Sequence, residues 1–263
     1  MKIGVCTGLK NISAAAEAGF DYIEPSLTSL EKMTDAEFAY AASLPRPIPV
    51  LRANGLLPGE LKVTGPSVDF GAIRAYLDLA FARASKLGIG IAVFGSGKAR
   101  AVPEDFPFSE AWLQLSSFLS VAAEYGEKYS VSVAIEPLRR QECNILNLVS
   151  EAVALAAFTG KERIGVLGDT FHMLSSGEPL GALVRAGGLL SHIHISHPLE
   201  GLTGRDYPRE GDGSEDSYLE LFSVLKSAGY RGYVSLEAGS RDFASEGPAA
   251  ASLLHRLASE AGF

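Results

Sequence analysis

The sequence lacks the residues that mark several classes of protein. Its two cysteines, Cys6 and Cys143, form no spacing motif, so we expect neither a disulfide framework nor a cysteine-based zinc site. No Lys/Arg run exceeds two residues, and no apolar run reaches the roughly 18 residues of a membrane span. No histidine precedes His172. These absences argue against a membrane-spanning protein and against a basic surface for nucleic acid.

The overall charge favours a small-molecule partner. The chain has 23 basic and 31 acidic residues, a net charge of −8, which would repel a phosphate backbone or an anionic membrane. The start Met1-Lys2-Ile3-Gly4 is too short to be a signal peptide. We therefore expect a soluble, cytoplasmic protein that binds neither nucleic acid nor membrane, and we leave open whether it forms a homo-oligomer.

A repeated unit runs through the 263 residues: an alanine-rich amphipathic helix, a glycine suited to a helix C-terminus, then a short β-branched strand. These glycines are Gly19, Gly88, Gly126, Gly160, Gly187 and Gly229. The predicted strands are Ile3–Cys6, Asp21–Glu24, Ile48–Arg52, Ile89–Phe94, Val131–Glu136, Ile164–Asp169, Leu189–Ser196 and Tyr233–Glu237. The predicted helices are Ser13–Ala18, Asp35–Ser43, Val68–Lys86, Phe108–Tyr125, Leu146–Phe158, Leu180–Ala186, Ser217–Ala228 and Ala249–Ala261.

Eight alternating strands and helices predict an α/β fold, a (β/α)8 barrel in one domain spanning residues 1–263. Such barrels commonly have about 250 residues. An open, doubly wound sheet is the alternative. It is less favoured because Cys6-Thr7-Gly8-Leu9, after the first strand, is not a Gly-rich phosphate-binding turn.

Polar residues lie at the carboxyl ends of the last four predicted strands, where barrels of this type carry their chemistry. These residues are Glu136, Asp169, His194 and Glu237. Three converging carboxylates would raise one another's pKa values, and a divalent cation removes that repulsion. Three oxygen ligands and one nitrogen suit Mn²⁺ best, with Mg²⁺, Co²⁺ or Zn²⁺ as alternatives. The other interpretation is that each residue has a separate structural role.

Two segments leave alternatives open. In Gly165–Met173, Asp169 ends an apolar run and either faces a site or simply caps a short helix. The strand Ser191–His197 offers three imidazoles, of which His194 lies nearest the strand end on the same face as His192. We expect His194 to be the ligand, His192 to fill the barrel interior and His197 to lie on a surface loop.

Four segments together resemble the signature segments of xylose-isomerase-like TIM barrels, closest to ketose 3-epimerases of the tagatose/allulose type and hydroxypyruvate isomerases. They are the segments 135–142, 169–173, 192–194 and 235–237, which read IEPLRRQE, DTFHM, HIH and SLE. The resemblance implies that Glu136, Asp169, His194 and Glu237 bind one divalent metal ion. It also implies that Glu136 and Glu237 form the acid/base pair.

The same resemblance implies that His172, Glu142 and an arginine after strand seven contact the oxygens of a sugar substrate. We take that arginine to be Arg205, with Arg209 as the rival. The implied reaction is metal-dependent 3-epimerisation of a ketose; the alternative is aldose–ketose or hydroxypyruvate isomerisation at the same site. An endonuclease-IV-like nuclease is disfavoured because histidine ligands from strands two and three are missing. A non-catalytic sugar-binding barrel is the remaining class.

Two further features bear on the substrate. The segment 94–100, with the sequence FGSGKAR, offers backbone amides and two cations for a phosphate or carboxylate, or forms a solvated loop. Glu24 and Arg52 end the second and third predicted strands. We expect them either to pair with each other or to contact the substrate.

Overall fold

The computed structural model describes residues Met1–Phe263, which form ten strands and eleven α-helices. The strands are β1 Lys2–Cys6, β2 Tyr22–Glu24, β3 Arg52–Ala53, β4 Ile91–Phe94, β5 Ser132–Ile135, β6 Ile164–Asp169, β7 Leu190–Ile195, β8 His197–Pro198, β9 Arg205–Asp206 and β10 Tyr233–Leu236. The helices are α1 Ile12–Glu17, α2 Leu27–Glu31, α3 Asp35–Ser43, α4 Phe70–Leu87, α5 Gly97–Arg100, α6 Phe108–Tyr129, α7 Val149–Thr159, α8 Thr170–Ser175, α9 Gly181–Ala186, α10 Glu215–Ser227 and α11 Phe243–Glu260. Single 3-10 turns occupy Leu9–Asn11, Gly187–Leu189 and Glu200–Leu202.

Eight parallel strands form a nearly closed barrel, in the order β2-β1-β10-β7-β6-β5-β4-β3. Two isolated parallel bridges, Ile23 with Val50 and Ser26 with Asn54, span the remaining gap between β2 and the β3 region. The predicted (β/α)8 barrel is therefore confirmed. The strands β8 and β9 lie outside the barrel as a short antiparallel ribbon inserted after β7.

The predicted third strand is wrong in its bounds, because only Arg52 and Ala53 pair with β4.

The helix α6 is longer than predicted: Gly126 lies inside it, and Ser130 takes the left-handed cap at φ 59°. Gly126 is required for another reason, since a Cβ there would strike the Val131 carbonyl oxygen. The helices α2, α5 and α8 are short, and a period of 3.6 residues is hard to detect over so few positions.

The barrel interior is divided into an apolar half and a polar half. Alternate residues of β4, β5 and β6 place Val93, Ala134 and Leu167 inside as a small separate cluster. The other half holds buried polar side chains from β2, β7 and β10: Tyr22, Glu24, His192, His194 and Ser235. The remaining apolar faces of the strands pack outward against the helices in one core of 68 buried residues. None of the helices combines the length and the apolarity needed to cross a membrane.

Candidate active site

The four predicted strand-end residues come together at one point. Ligand atoms of Glu136, Asp169, His194 and Glu237 all lie within 4.8 Å of one another. The His194 Nδ1 atom is 3.5 Å from Glu136 Oε1 and 3.4 Å from Glu237 Oε2. All but Glu237 are buried, which places the cluster under the mouth of the barrel rather than on its surface.

Two atoms of this cluster have no hydrogen-bond partner, although they are buried. They are Glu136 Oε1 and His194 Nδ1. Unpaired buried polar atoms are uncommon, because each costs about 1–3 kcal/mol. A carboxylate oxygen and an imidazole nitrogen facing each other can both donate electron pairs to a cation. The residues present therefore fit a divalent metal ion.

Asp169 fulfils both alternatives that the sequence left open. Its Oδ1 accepts hydrogen bonds from the backbone N–H groups of Phe171 and His172, at 2.8 and 3.1 Å, and so caps α8. Its Oδ2 lies 4.0 Å from His194 Nδ1 and faces the cluster. The residue is 1% exposed, so both oxygens are committed to these two tasks.

Arg205 enters the cluster from the ribbon strand β9. Its Nη1 donates to Asp169 Oδ2 at 2.9 Å and also contacts Glu237 Oε2. Its Nη2 lies 2.7 Å from His172 Nε2. The structure places Arg209 elsewhere, paired with Asp206 and Glu246. The guanidinium of Arg205 thus supplies positive charge among the carboxylates.

His172 and Glu142 lie at different depths. His172 is buried beside Arg205, and its Nδ1 is 3.3 Å from the Arg139 backbone N–H. The Glu142 side chain is 39% exposed and pairs with the Arg139 guanidinium at 2.7 Å. The guanidinium groups of Arg139 and Arg205 each lie 4.7 Å from the ring centre of Phe171. The structure brings His172 to the cluster and places Glu142 at its rim.

The electrostatic environment separates the two glutamates. Burial raises the pKa of Glu136, and the neighbouring Glu237 charge raises it further. Burial acts in the same direction on Glu237, but the charges of His194 and Arg205 outweigh it and lower the Glu237 pKa. The cluster thus holds one carboxyl group with a raised pKa and one with a lowered pKa.

The segment 94–100 is not a solvated loop, because Gly97–Arg100 form α5 and its end is buried. Arg100 is fully buried, and its guanidinium donates to the carbonyl oxygens of Phe94 and Glu136, each at 2.7 Å. Gly95 has no room for a side chain, because a Cβ would strike the Glu136 carboxylate. These contacts fix the carboxyl ends of β4 and β5 and so position Glu136. Sequence analysis missed this role, since nothing local distinguishes a structural arginine from an anion-binding one.

The expected ion pair between Glu24 and Arg52 is wrong. Glu24 Oε1 lies 3.0 Å from His194 Nε2, and Glu24 Oε2 lies 2.8 Å from His192 Nε2. Arg52 instead stacks 4.0 Å from the ring centre of Tyr233. His197 also differs from the prediction: it lies half-buried in β8, 3.3 Å from Asp212. His192 is fully buried inside the barrel, as expected.

Comparisons with known proteins agree with the barrel fold. Residues 12–259 match the family model of the xylose isomerase-like TIM barrel. A D-psicose 3-epimerase from Agrobacterium fabrum is 27% identical over 235 residues, which cover 86% of this chain and 77% of that protein. An inosose isomerase from Halalkalibacterium halodurans is 30% identical over 126 residues, 45% of this chain and 43% of that protein. The chain thus matches less than half of the second relative.

A solved structure gives the same architecture. The D-psicose 3-epimerase with D-tagatose from Clostridium cellulolyticum superposes on 99% of this chain and 96% of that one, with a TM-score of 0.77. The sequence identity is 21%, so this similarity concerns the fold.

Proposed function

This chain belongs to the xylose isomerase-like TIM barrel family, and on that premise we propose that it is a metal-dependent epimerase that inverts C3 of a ketose sugar. The named relatives are epimerases and isomerases of small sugars and inososes. One observation carries the proposal: four strand-end groups, three of them buried, converge with an unpaired oxygen and an unpaired nitrogen among them.

Glu136, Asp169, His194 and Glu237 would hold the metal ion. When bound, a divalent ion stabilises negative charge that develops on the substrate oxygens by several kcal/mol. We favour Mn²⁺ because three of the four ligands are carboxylates, and Mg²⁺, Co²⁺ and Zn²⁺ remain candidates. His194 would contribute a neutral nitrogen. The negative charge that balances the cation would therefore come from the three carboxylates.

Glu136 and Glu237 carry the proton transfer. In the barrel β6 and β7 lie between β5 and β10, the strands that deliver them, so the two carboxylates reach the cluster from different directions. One can take the proton from C3 while the other delivers a proton to the opposite face. General acid–base assistance of this kind contributes about 10²–10⁴-fold.

His172, Arg205 and Glu142 would contact the sugar oxygens. Arg205 Nη2 donates to His172 Nε2 at the cluster, so a hydroxyl or carbonyl oxygen that enters there meets the guanidinium N–H groups beside the imidazole. Arg205 presents a fixed fork of N–H groups that suits oxygen ligands. Glu142 lies further out, where it can accept a hydrogen bond from a hydroxyl at the far end of the substrate.

We expect Arg205→Ala to lower kcat/KM for the substrate by about 10–100-fold. The reason is that a hydrogen bond to a charged group is worth about 1.5–3 kcal/mol. Steady-state kinetics on the metal-loaded enzyme measure the effect. Arg209→Ala is the matched control: Arg209 lies four positions away, pairs with Asp206 and Glu246, and should leave kcat/KM unchanged. Equal losses of kcat/KM in both variants would show that Arg205 does not contact the substrate.

The reaction is tested in D₂O with a panel of free and phosphorylated ketoses and NMR analysis of the products. We expect deuterium at C3 together with an inverted C3 centre, because the returned proton comes from solvent-exchanged carboxylate. An aldose carrying the label at C1 or C2 would assign the site to the isomerase alternative. No turnover of any sugar by enzyme that binds metal stoichiometrically would contradict the proposal.

A further inference from the structure

Glu24 is a fully buried carboxylate on the far side of His194 from the metal cluster. We propose that Glu24 is a positioning residue: it accepts the His194 Nε2–H and so holds the opposite nitrogen, Nδ1, as a bare electron pair aimed at the metal ion. The inference rests on the metal site proposed above. Glu24 itself touches neither the substrate nor the metal.

An imidazole binds a metal only through an unprotonated nitrogen, and the hydrogen bond made by the other nitrogen decides which one that is. His194 Nε2 lies 3.0 Å from Glu24 Oε1, a distance at which the nitrogen donates and the carboxylate accepts. When a metal ion occupies Nδ1, the proton that His194 keeps is therefore the one on Nε2. His194 Nδ1 is left without a partner, between Glu136 and Glu237.

Glu24 is held in turn by the polar half of the barrel interior. Ser235 Oγ donates to Glu24 Oε2 at 2.6 Å, and Tyr22 OH lies 2.7 Å from that hydroxyl. His192 Nε2 lies 2.8 Å from the same carboxylate oxygen. The partners come from β2, β7 and β10, strands that are fixed in register by the sheet. The carboxylate consequently has little freedom to turn away from His194.

Cys6, Glu24 and His194 also form a group with metal-ligand spacing. The hydrogen bonds argue against a second ion there. Both oxygens of Glu24 lie within 3.0 Å of protein donors, and the His194 nitrogen on this side is the protonated one. We therefore expect one metal ion per chain, bound on the Nδ1 side.

The variant Glu24→Gln removes the negative charge of the Glu24 side chain while keeping its size and shape. Its amide oxygen can still accept from His194, and its NH₂ group can donate to His192, so the interior keeps its packing. The carboxylate charge that makes the imidazole a better ligand is lost. Removing such an outer partner typically weakens metal binding by about 10–100-fold. We expect that loss in calorimetric titration with Mn²⁺, together with a shifted visible absorption band in the Co²⁺-loaded protein.

Tyr76→Phe is the matched control, because it removes a buried hydroxyl that donates to the Leu56 carbonyl oxygen, away from Glu24 and His194. It should leave the Mn²⁺ affinity and the Co²⁺ spectrum unchanged. Unaltered affinity and spectrum in Glu24→Gln would overturn the inference and leave Glu24 as interior packing. Should Glu24→Gln fail to fold, Glu24→Asp serves instead; its shorter carboxylate should also weaken Mn²⁺ binding, and wild-type affinity would overturn the inference.

The wild-type titration distinguishes the two proposals. A wild-type protein that binds no ion contradicts the proposed function and this inference together. Binding by wild type, with equal affinity in the Glu24 variants, contradicts only this inference. A stoichiometry of two ions per chain would show that Glu24 is a ligand rather than a positioning residue.

Discussion

Replacing either Glu136 or Glu237 with glutamine is expected to lower turnover by about 10²–10⁴-fold, the contribution typical of a general acid or base. An amide can neither take a proton from carbon nor return one. Because both residues also lie in the metal cluster, the metal content of each variant must be measured before the loss is assigned to proton transfer. Glu200→Gln, an exposed glutamate in the insertion after β7, is the control and should turn over normally.

Isotope exchange sharpens this test. In a variant that retains metal, the remaining carboxylate can still remove the C3 proton of one epimer and return a deuteron from D₂O to the same face. We therefore expect exchange without inversion, starting from one epimer in Glu136→Gln and from the other in Glu237→Gln. Exchange from both epimers in each variant would contradict the assignment of one face to each carboxylate.

Asp169→Asn is expected to weaken Mn²⁺ binding by more than about 100-fold, the upper end of what the loss of an outer-shell partner costs. The substitution removes the negative charge of a ligand and can place an NH₂ group where Oδ2 faces the cluster. The fold should survive, because asparagine caps helices as well as aspartate does and can keep the two hydrogen bonds to Phe171 and His172. Calorimetric titration measures the Mn²⁺ affinity of the variant, and thermal unfolding measures its stability.

The control for this variant is Asp69→Asn. Asp69 caps α4 with the same pattern, accepting from Gly71 and Ala72, but lies outside the metal cluster. Both variants should unfold near the wild-type temperature, and only Asp169→Asn should lose metal affinity. Equal Mn²⁺ affinity in the two variants would show that Asp169 caps α8 but does not bind the metal ion.

The barrel was predictable because its determinants are local. Short apolar, β-branched runs that end in a polar residue specify both the strand and the place where its last side chain emerges, as at Glu136 and Asp169. Parallel strands then bring those ends to one edge of the barrel, so the cluster follows from topology without any knowledge of distances. The bounds of β3 were predicted wrongly because only two of its residues pair with β4.

The supporting residues were not predictable in this way. Arg100 is 36 residues from Glu136 along the chain, and Glu24 is 170 residues from His194. Sequence spacing carries no information on such pairs, because they depend on which strands become neighbours and on what fills the interior. The same holds for Arg205 and Arg209: they belong to one insertion, and only the ribbon β8–β9 directs one of them toward the carboxylates.

The polar half of the barrel interior also bears on the order of folding. Its hydrogen bonds join residues at opposite ends of the chain: Tyr22 and Glu24 are 213 and 211 positions from Ser235. Closing loops of that length costs conformational entropy before any contact compensates for it. The β4–β6 half, whose partners follow one another along the chain, can assemble earlier. The cluster of Glu136, Asp169, His194 and Glu237 is consequently among the last parts of the molecule to form, because a nascent chain lacks Glu237 until its final strand is in place.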